Sequence, residues 1–219
     1  MHAQIETFRN APRVHTAMTA DLEKRILIWL AQRTPAAIGP DHLTALGFAS
    51  QLLAGGAYAI SGRDPRALWL VSLFLCLNWL GDSLDGTLAR VRNQQRPRYG
   101  FYVDHMVDTF GTLALLGGLA ASGYVHVAIA AGMLAGYYVL AIESYLATYT
   151  IGRFHLSHGW FGPTELRLLL IAANAALFVH PSPKLFNVGG AIGIAGMAVM
   201  AIAATMRHTA ALYREETLR

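Results

Sequence analysis

Six long apolar segments, separated by short polar breaks, dominate the hydrophobic pattern of this 219-residue chain. They run from His42 to Ile60, Ala67 to Ala89, Phe101 to Ala121, Val125 to Thr150, Thr164 to Val179 and Leu185 to Met206. Each is close to the ~20 residues a helix needs to cross a bilayer. The breaks are rich in Gly and Pro, as loops are: Ser61-Gly62-Arg63-Asp64-Pro65, Arg92 to Arg98, Ser122-Gly123, Gly152 to Pro163, and His180-Pro181-Ser182-Pro183. Ahead of the first segment, Thr19 to Gln32 has helical periodicity, with Leu22, Ile26, Trp29 and Leu30 set among Asp21, Glu23, Lys24 and Arg25, and with Thr19 or Asp21 as a cap. We expect an amphipathic helix on the cytoplasmic membrane surface; a short packing helix without lipid contact is the plainer alternative. The expected fold class is all-α, a polytopic membrane protein with six transmembrane helices and this N-terminal juxtamembrane helix. The expected divisions are a cytoplasmic segment 1–38, a catalytic transmembrane domain 39–213 and a tail 214–219.

Composition supports a lipid-solvated protein. Hydrophobic residues make up 54% of the chain and charged residues only 14%, against about 25% charged in soluble domains. Placing both termini in the cytoplasm puts 14 of the 17 Lys and Arg on the inner side, leaving Arg63, Arg66 and Lys184 outside. No basic run stands apart from the apolar segments, so the net charge of +4 does not point to a nucleic-acid partner. Cys76, the one cysteine, reads as a packing residue, and the polar N-terminal forty residues carry no signal-peptide pattern.

Four aspartates interrupt the second and third segments, where a carboxylate costs about 2.5–3.5 kcal/mol to insert. Asp82 and Asp85 are three apart and Asp104 and Asp108 four apart, so each pair shares a helix face. One segment runs inward toward Arg90 and the next runs back from Gly100, which brings both pairs to similar depth near the cytoplasmic side of adjacent antiparallel helices. Four carboxylates at low dielectric need a counter-charge. Their hard oxygens suit magnesium, calcium or manganese, and two ions about 3.5–4 Å apart would clamp a diphosphate. Ion pairing with Arg90 or Arg167, or a cation pathway through a transporter, would also explain the charges. Gly86 and Ala89 favour the first reading, because small residues there let a bulky ligand lie against the helix, and Arg90 can offer its planar fork to a phosphate.

The residues read Asp82-x-x-Asp85-Gly86-x-x-Ala89-Arg90, then Gly100-x-x-x-Asp104-x-x-x-Asp108. This closely resembles the signature of the CDP-alcohol phosphotransferase (CDP-alcohol phosphatidyltransferase) family, with every position filled. The resemblance implies that Asp82, Asp85, Asp104 and Asp108 ligate two divalent ions, Mg2+ or Mn2+. It implies that Gly86, Ala89, Arg90 and Gly100 belong to the donor site, and that Asp108 is the general base on the acceptor hydroxyl. CMP would leave as the hydroxyl attacks the β-phosphorus. Two further stretches match more loosely. Pro40-Asp41-His42-Leu43-Thr44 is similar to the family's Pro-Asn-x-x-Thr, with Asp41 in place of Asn and Thr44 as a polar contact to the donor. Gly162-Pro163-Thr164-Glu165-x-Arg167 is similar to the Gly-Pro-x-Glu region of the choline and ethanolamine phosphotransferases, and places Glu165 and Arg167 toward the acceptor or a phosphate. Arg153 is a further candidate for a lipid or acceptor phosphate. Glu143, inside a span, should be functional or partnered, and His155 and His158 read as loop residues.

The expected activity is therefore phosphatidyl transfer from CDP-diacylglycerol to a polar alcohol. The alternatives are a CDP-choline or CDP-ethanolamine donor with diacylglycerol as acceptor, or a cation transporter. The expected partners are the CDP-linked donor, the alcohol, membrane lipids and a second copy in a homodimer. The expected setting is a bacterial or archaeal plasma membrane.

Overall fold

The computed structural model describes residues 13–14, 20–151, 154–155 and 163–216. Seven helices account for nearly all of them: α1 (Ala20–Arg33), α2 (Pro40–Ser61), α3 (Ala67–Val91), α4 (Pro97–Ala121), α5 (Val127–Ile151), α6 (Pro163–Val179) and α7 (Pro183–Glu215). A parallel pair of two-residue strands, Arg13–Val14 and Phe154–His155, is the other regular element. Each of the six apolar segments is one helix. Proline opens α2, α4, α6 and α7, where its missing N–H is no loss. Asn93, at φ 53°, and Gly123, at φ +79°, turn the chain after α3 and α4 in the left-handed region those residues tolerate. Four helices, α2, α3, α5 and α7, are long and apolar enough to cross a membrane by length and composition. α6, at 17 residues, falls short in length. α4 has the length, but Asp104, His105 and Asp108 lower the hydropathy of its first half.

Helix α2 is the hub: it packs against both α3 and α4, while α5 joins α4 to α7, and α1 and α6 lie on α3. Small residues set these crossings, as expected where lipid removes the hydrophobic drive between helices. A Cβ on Gly81 of α3 would lie 2.5 Å from the Gly47 nitrogen of α2, and one on Gly118 of α4 would overlap the Gly55 carbonyl of α2. α3 and α4 thus share α2 as a closely packed neighbour.

One core, built around Tyr58, Leu68, Val71, Leu75, Leu119 and Leu177, fills the end of the bundle away from the aspartates. Its buried Tyr58 hydroxyl donates to Asn174 Oδ1 at 2.8 Å, linking α2 to α6. A second cluster, Leu27, Ala31, Leu43, Leu84 and Leu88, joins α1 to α2 and α3. The inward stripe of α1 is therefore Leu27 and Ala31, whereas Leu22, Ile26 and Trp29 face outward. The α3–α4 connection is tied to the α1–α2 turn. Arg92 donates to the carbonyls of Thr34 and Ile38, both at 2.6 Å, and of Pro35 at 3.0 Å, and Arg96 pairs with Asp41.

Candidate metal centre

Asp82 comes from α3, and Asp104 and Asp108 from α4, two helices that both pack on α2. One carboxylate oxygen from each of the three lies within 4.8 Å of the others, and all three residues are half-buried. Three hard oxygen donors converging at this spacing fit a divalent cation of the magnesium or manganese class. Asp85 stands outside that group of three. Its Oδ2 accepts the Thr44 hydroxyl at 2.5 Å and its Oδ1 the Gly86 backbone N–H at 2.5 Å. Thr44, expected to touch the donor, is placed on Asp85 and fixes that carboxylate from α2.

Arg167 reaches the cluster from α6. Its Nη2 is 2.6 Å from Asp82 Oδ2, and its Nε donates to Asn78 Oδ1 at 2.8 Å. The ion pair weighed from the sequence is present, and one guanidinium offsets one of the converging charges. Arg90 is exposed on the last turn of α3, with Nη2 donating to Thr87 Oγ1 at 2.9 Å. A Cβ on Gly86 would meet Arg90 Nη1 at 3.5 Å, so the guanidinium covers that glycine. Ala89 is half-buried and Gly100 is exposed, with open space where a side chain would be. Glu165 is half-buried in the first turn of α6. Arg153 and His158 lie outside the described residues, and His155 is described only as part of the second short strand. Glu143 is partnered: its Oε1 is 2.5 Å from His208 Nδ1 across α5 and α7.

Two contributors carried weaker signals. Asn78 lies four residues before Asp82 on the same face; its Nδ2 donates to the Gly47 carbonyl at 3.0 Å while its oxygen holds Arg167. A polar side chain one turn from a motif carboxylate, inside an apolar helix, was a readable clue. Glu23 of α1 accepts from Trp79 Nε1 at 2.8 Å, Ser83 Oγ at 3.1 Å and Thr164 Oγ1 at 3.1 Å. Nothing local in the sequence marks it, because all three donors are distant in the chain. Beside it, Leu22, Ile26, Leu75, Trp79, Leu168 and Ile171 line an apolar groove of about 240 Å3 between α1, α3 and α6, which also reaches Arg167. On the α2 side, Pro40, Asp41, Gln94, Gln95 and Arg96 line a second cavity beside the α3–α4 connection.

A profile of the CDP-alcohol phosphatidyltransferase family matches residues 37–207, which takes in α2 through most of α7 and all four aspartates. Comparison with curated proteins finds no match to the chain. A match over more than three quarters of the length, which takes in the converging carboxylates, places the chain in the CDP-alcohol phosphatidyltransferase family.

Proposed function

We propose that this chain transfers a phosphatidyl group from CDP-diacylglycerol to a polar alcohol, with release of CMP. Family membership makes it a transferase of substituted phosphate groups that acts on CDP-linked donors and alcohol acceptors, and its apolar helices make it an integral membrane protein. In the proposed arrangement α2 to α7 all span the bilayer, both termini face the cytoplasm, and α1 lies on the inner surface with Leu22, Ile26 and Trp29 toward lipid.

The observation that carries the reading is the convergence of Asp82, Asp104 and Asp108. These residues, with Asp85 beside them, would hold two divalent ions, Mg2+ or Mn2+. Bound there, such ions would neutralise the donor's diphosphate and the charge that develops on the leaving phosphate. Asp108 accepts the proton of the acceptor hydroxyl. The freed oxygen forms a bond to the β-phosphorus as the bond from that phosphorus to the bridging oxygen breaks, and CMP departs with the electron pair. Gly86, Ala89 and Gly100 leave room for the nucleotide, with Arg90 beside it, while Glu165 and Arg167 face the acceptor or a phosphate. The apolar groove beside Arg167 gives acyl chains a place next to the site, which favours a lipid-borne group in this reaction.

The test is CMP release by purified protein from labelled CDP-diacylglycerol or CDP-choline, offered with polar alcohols or diacylglycerol. We expect release from CDP-diacylglycerol, arrest by a strong chelator and recovery on addition of Mg2+ or Mn2+. Asp108→Asn should lower transfer by about 10²–10⁴-fold while donor binding is retained. Turnover with CDP-choline and diacylglycerol alone would reverse donor and acceptor. Full activity in D108N would remove the base, and ion flux without CMP release would favour a transporter.

A further inference from the structure

Arg167 brings a positive charge into the carboxylate cluster from outside the aspartate motif. Its Nη2 sits 2.6 Å from Asp82 Oδ2, in a pair whose side chains are only 13% and 24% exposed. The guanidinium is anchored at a second point, since Nε donates to Asn78 Oδ1 at 2.8 Å and Asn78 is itself fixed to the Gly47 carbonyl. The first turn of α6 is pinned as well. Thr164 donates to Glu23, which also takes Trp79 and Ser83, the residues that flank Asp82 along α3. Arg167 is thus a cation held at a fixed place, with its Nη edge on one of three carboxylates spaced for metal.

A guanidinium and a divalent cation repel each other at this range, and a half-buried setting weakens solvent screening between them. We infer that Arg167 and the divalent cations compete for Asp82, so that this guanidinium limits how tightly the cluster takes metal. The inference rests on the reading of Asp82, Asp104 and Asp108 as metal ligands. With a cation on Asp82, the Nη edge would give up that oxygen while Nε would stay on Asn78. The arginine would then be a tethered donor beside the cluster, suited by its planar fork to a phosphate oxygen. Its charge opposes metal uptake by the bare protein and assists once a diphosphate is present.

The experiment is Mn2+ titration of purified protein in detergent without nucleotide, with free Mn2+ read by electron paramagnetic resonance. Arg167→Met and Arg167→Gln should bind Mn2+ roughly tenfold more tightly than wild type, within the usual range of coupling between two sites. Arg167→Lys, which keeps the charge, should stay near wild type. Unchanged or weaker binding in both neutral variants would overturn the inference, as would tightening by R167K equal to that of R167M. Methionine is an apolar, straight-chain replacement in surroundings that include Cys76, Leu168 and Ile171. If a buried, unpaired Asp82 prevents folding, the titration is made on R167M in an Asp82→Asn background against D82N alone. There only the through-space repulsion remains, so R167M should tighten Mn2+ binding by clearly less than about tenfold over D82N alone, and a full tenfold difference would overturn the competition for Asp82. Wild type that takes up no Mn2+, or whose uptake survives D104N and D108N, would sink the metal reading itself. Uptake lost in those variants but unmoved by R167M and R167Q would sink this inference alone.

Discussion

Gly81→Ala tests whether the helix crossing beside Asp82 sets the carboxylate geometry. A Cβ at Gly81 would stand 2.5 Å from the Gly47 nitrogen, 2.6 Å from the Leu43 carbonyl oxygen and 2.7 Å from the Gly47 Cα. All three are backbone atoms, so no side chain can swing aside. Ordinary contact begins near 3.4 Å, so α2 and α3 must separate locally by about 0.9 Å (3.4 less 2.5) or twist to the same effect. Overpacking of this kind costs about 1–3 kcal/mol. Because Asp82 is the next residue, the same displacement carries its carboxylate away from Asp104 and Asp108, and a shift near 1 Å lowers rate by about 10²-fold. Thermal unfolding in detergent, followed by circular dichroism, should show a midpoint several degrees below wild type, and CMP release should fall by roughly two orders of magnitude. Gly56→Ala is the matched control: a Cβ there meets nothing within 4 Å, and alanine favours helix by about 0.8–1 kcal/mol over glycine. If G81A unfolds and turns over like wild type while G56A behaves as stated, the crossing does not hold the carboxylates in place.

Two further predictions follow from hydrogen bonds outside the cluster. Thr44→Val removes the donor to Asp85 Oδ2, a bond to a charged group worth about 1.5–3 kcal/mol. It should raise the Mg2+ concentration needed for half-maximal CMP release, whereas Thr44→Ser should restore it; equal Mg2+ curves for T44V and wild type would refute the role. Glu23→Ala leaves Trp79, Ser83 and Thr164 without their shared acceptor and should cost about 1–3 kcal/mol of stability, read as a lower unfolding midpoint, with Glu23→Gln retaining part of it. An unchanged midpoint in E23A would show that α1 is held by Leu27 and Ala31 alone.

The helices and the acidic motif were legible in the sequence because both are local patterns. The apolar segments match α2 to α7 within a few residues at most ends, apart from the first turn of α4 and the last turns of α7, which the sequence reading left out because they are polar. The spacings of Asp82, Asp104 and Asp108 placed these carboxylates at one depth, and the structure brings them together. The arrangement of helices was less legible, since it depends on pairs such as Gly47 with Gly81 and Gly55 with Gly118, each residue of which looks ordinary alone. Of the four glycines in α7, Gly190 packs tightly against Ile129 and Met133, while a Cβ on Gly189, Gly193 or Gly196 would meet nothing within 4 Å. Asp85 satisfied the same local rule as its neighbours, but Thr44, 41 residues earlier, claims one of its oxygens.

Both helices that bear the acidic cluster pack on α2, a helix that contributes no carboxylate to it. In the proposed metal site, size preference for the cation would therefore depend on a spacer as much as on ligands. Substitutions at Gly47 or Gly55 would retune which ion radius the aspartates accept while leaving every aspartate in place.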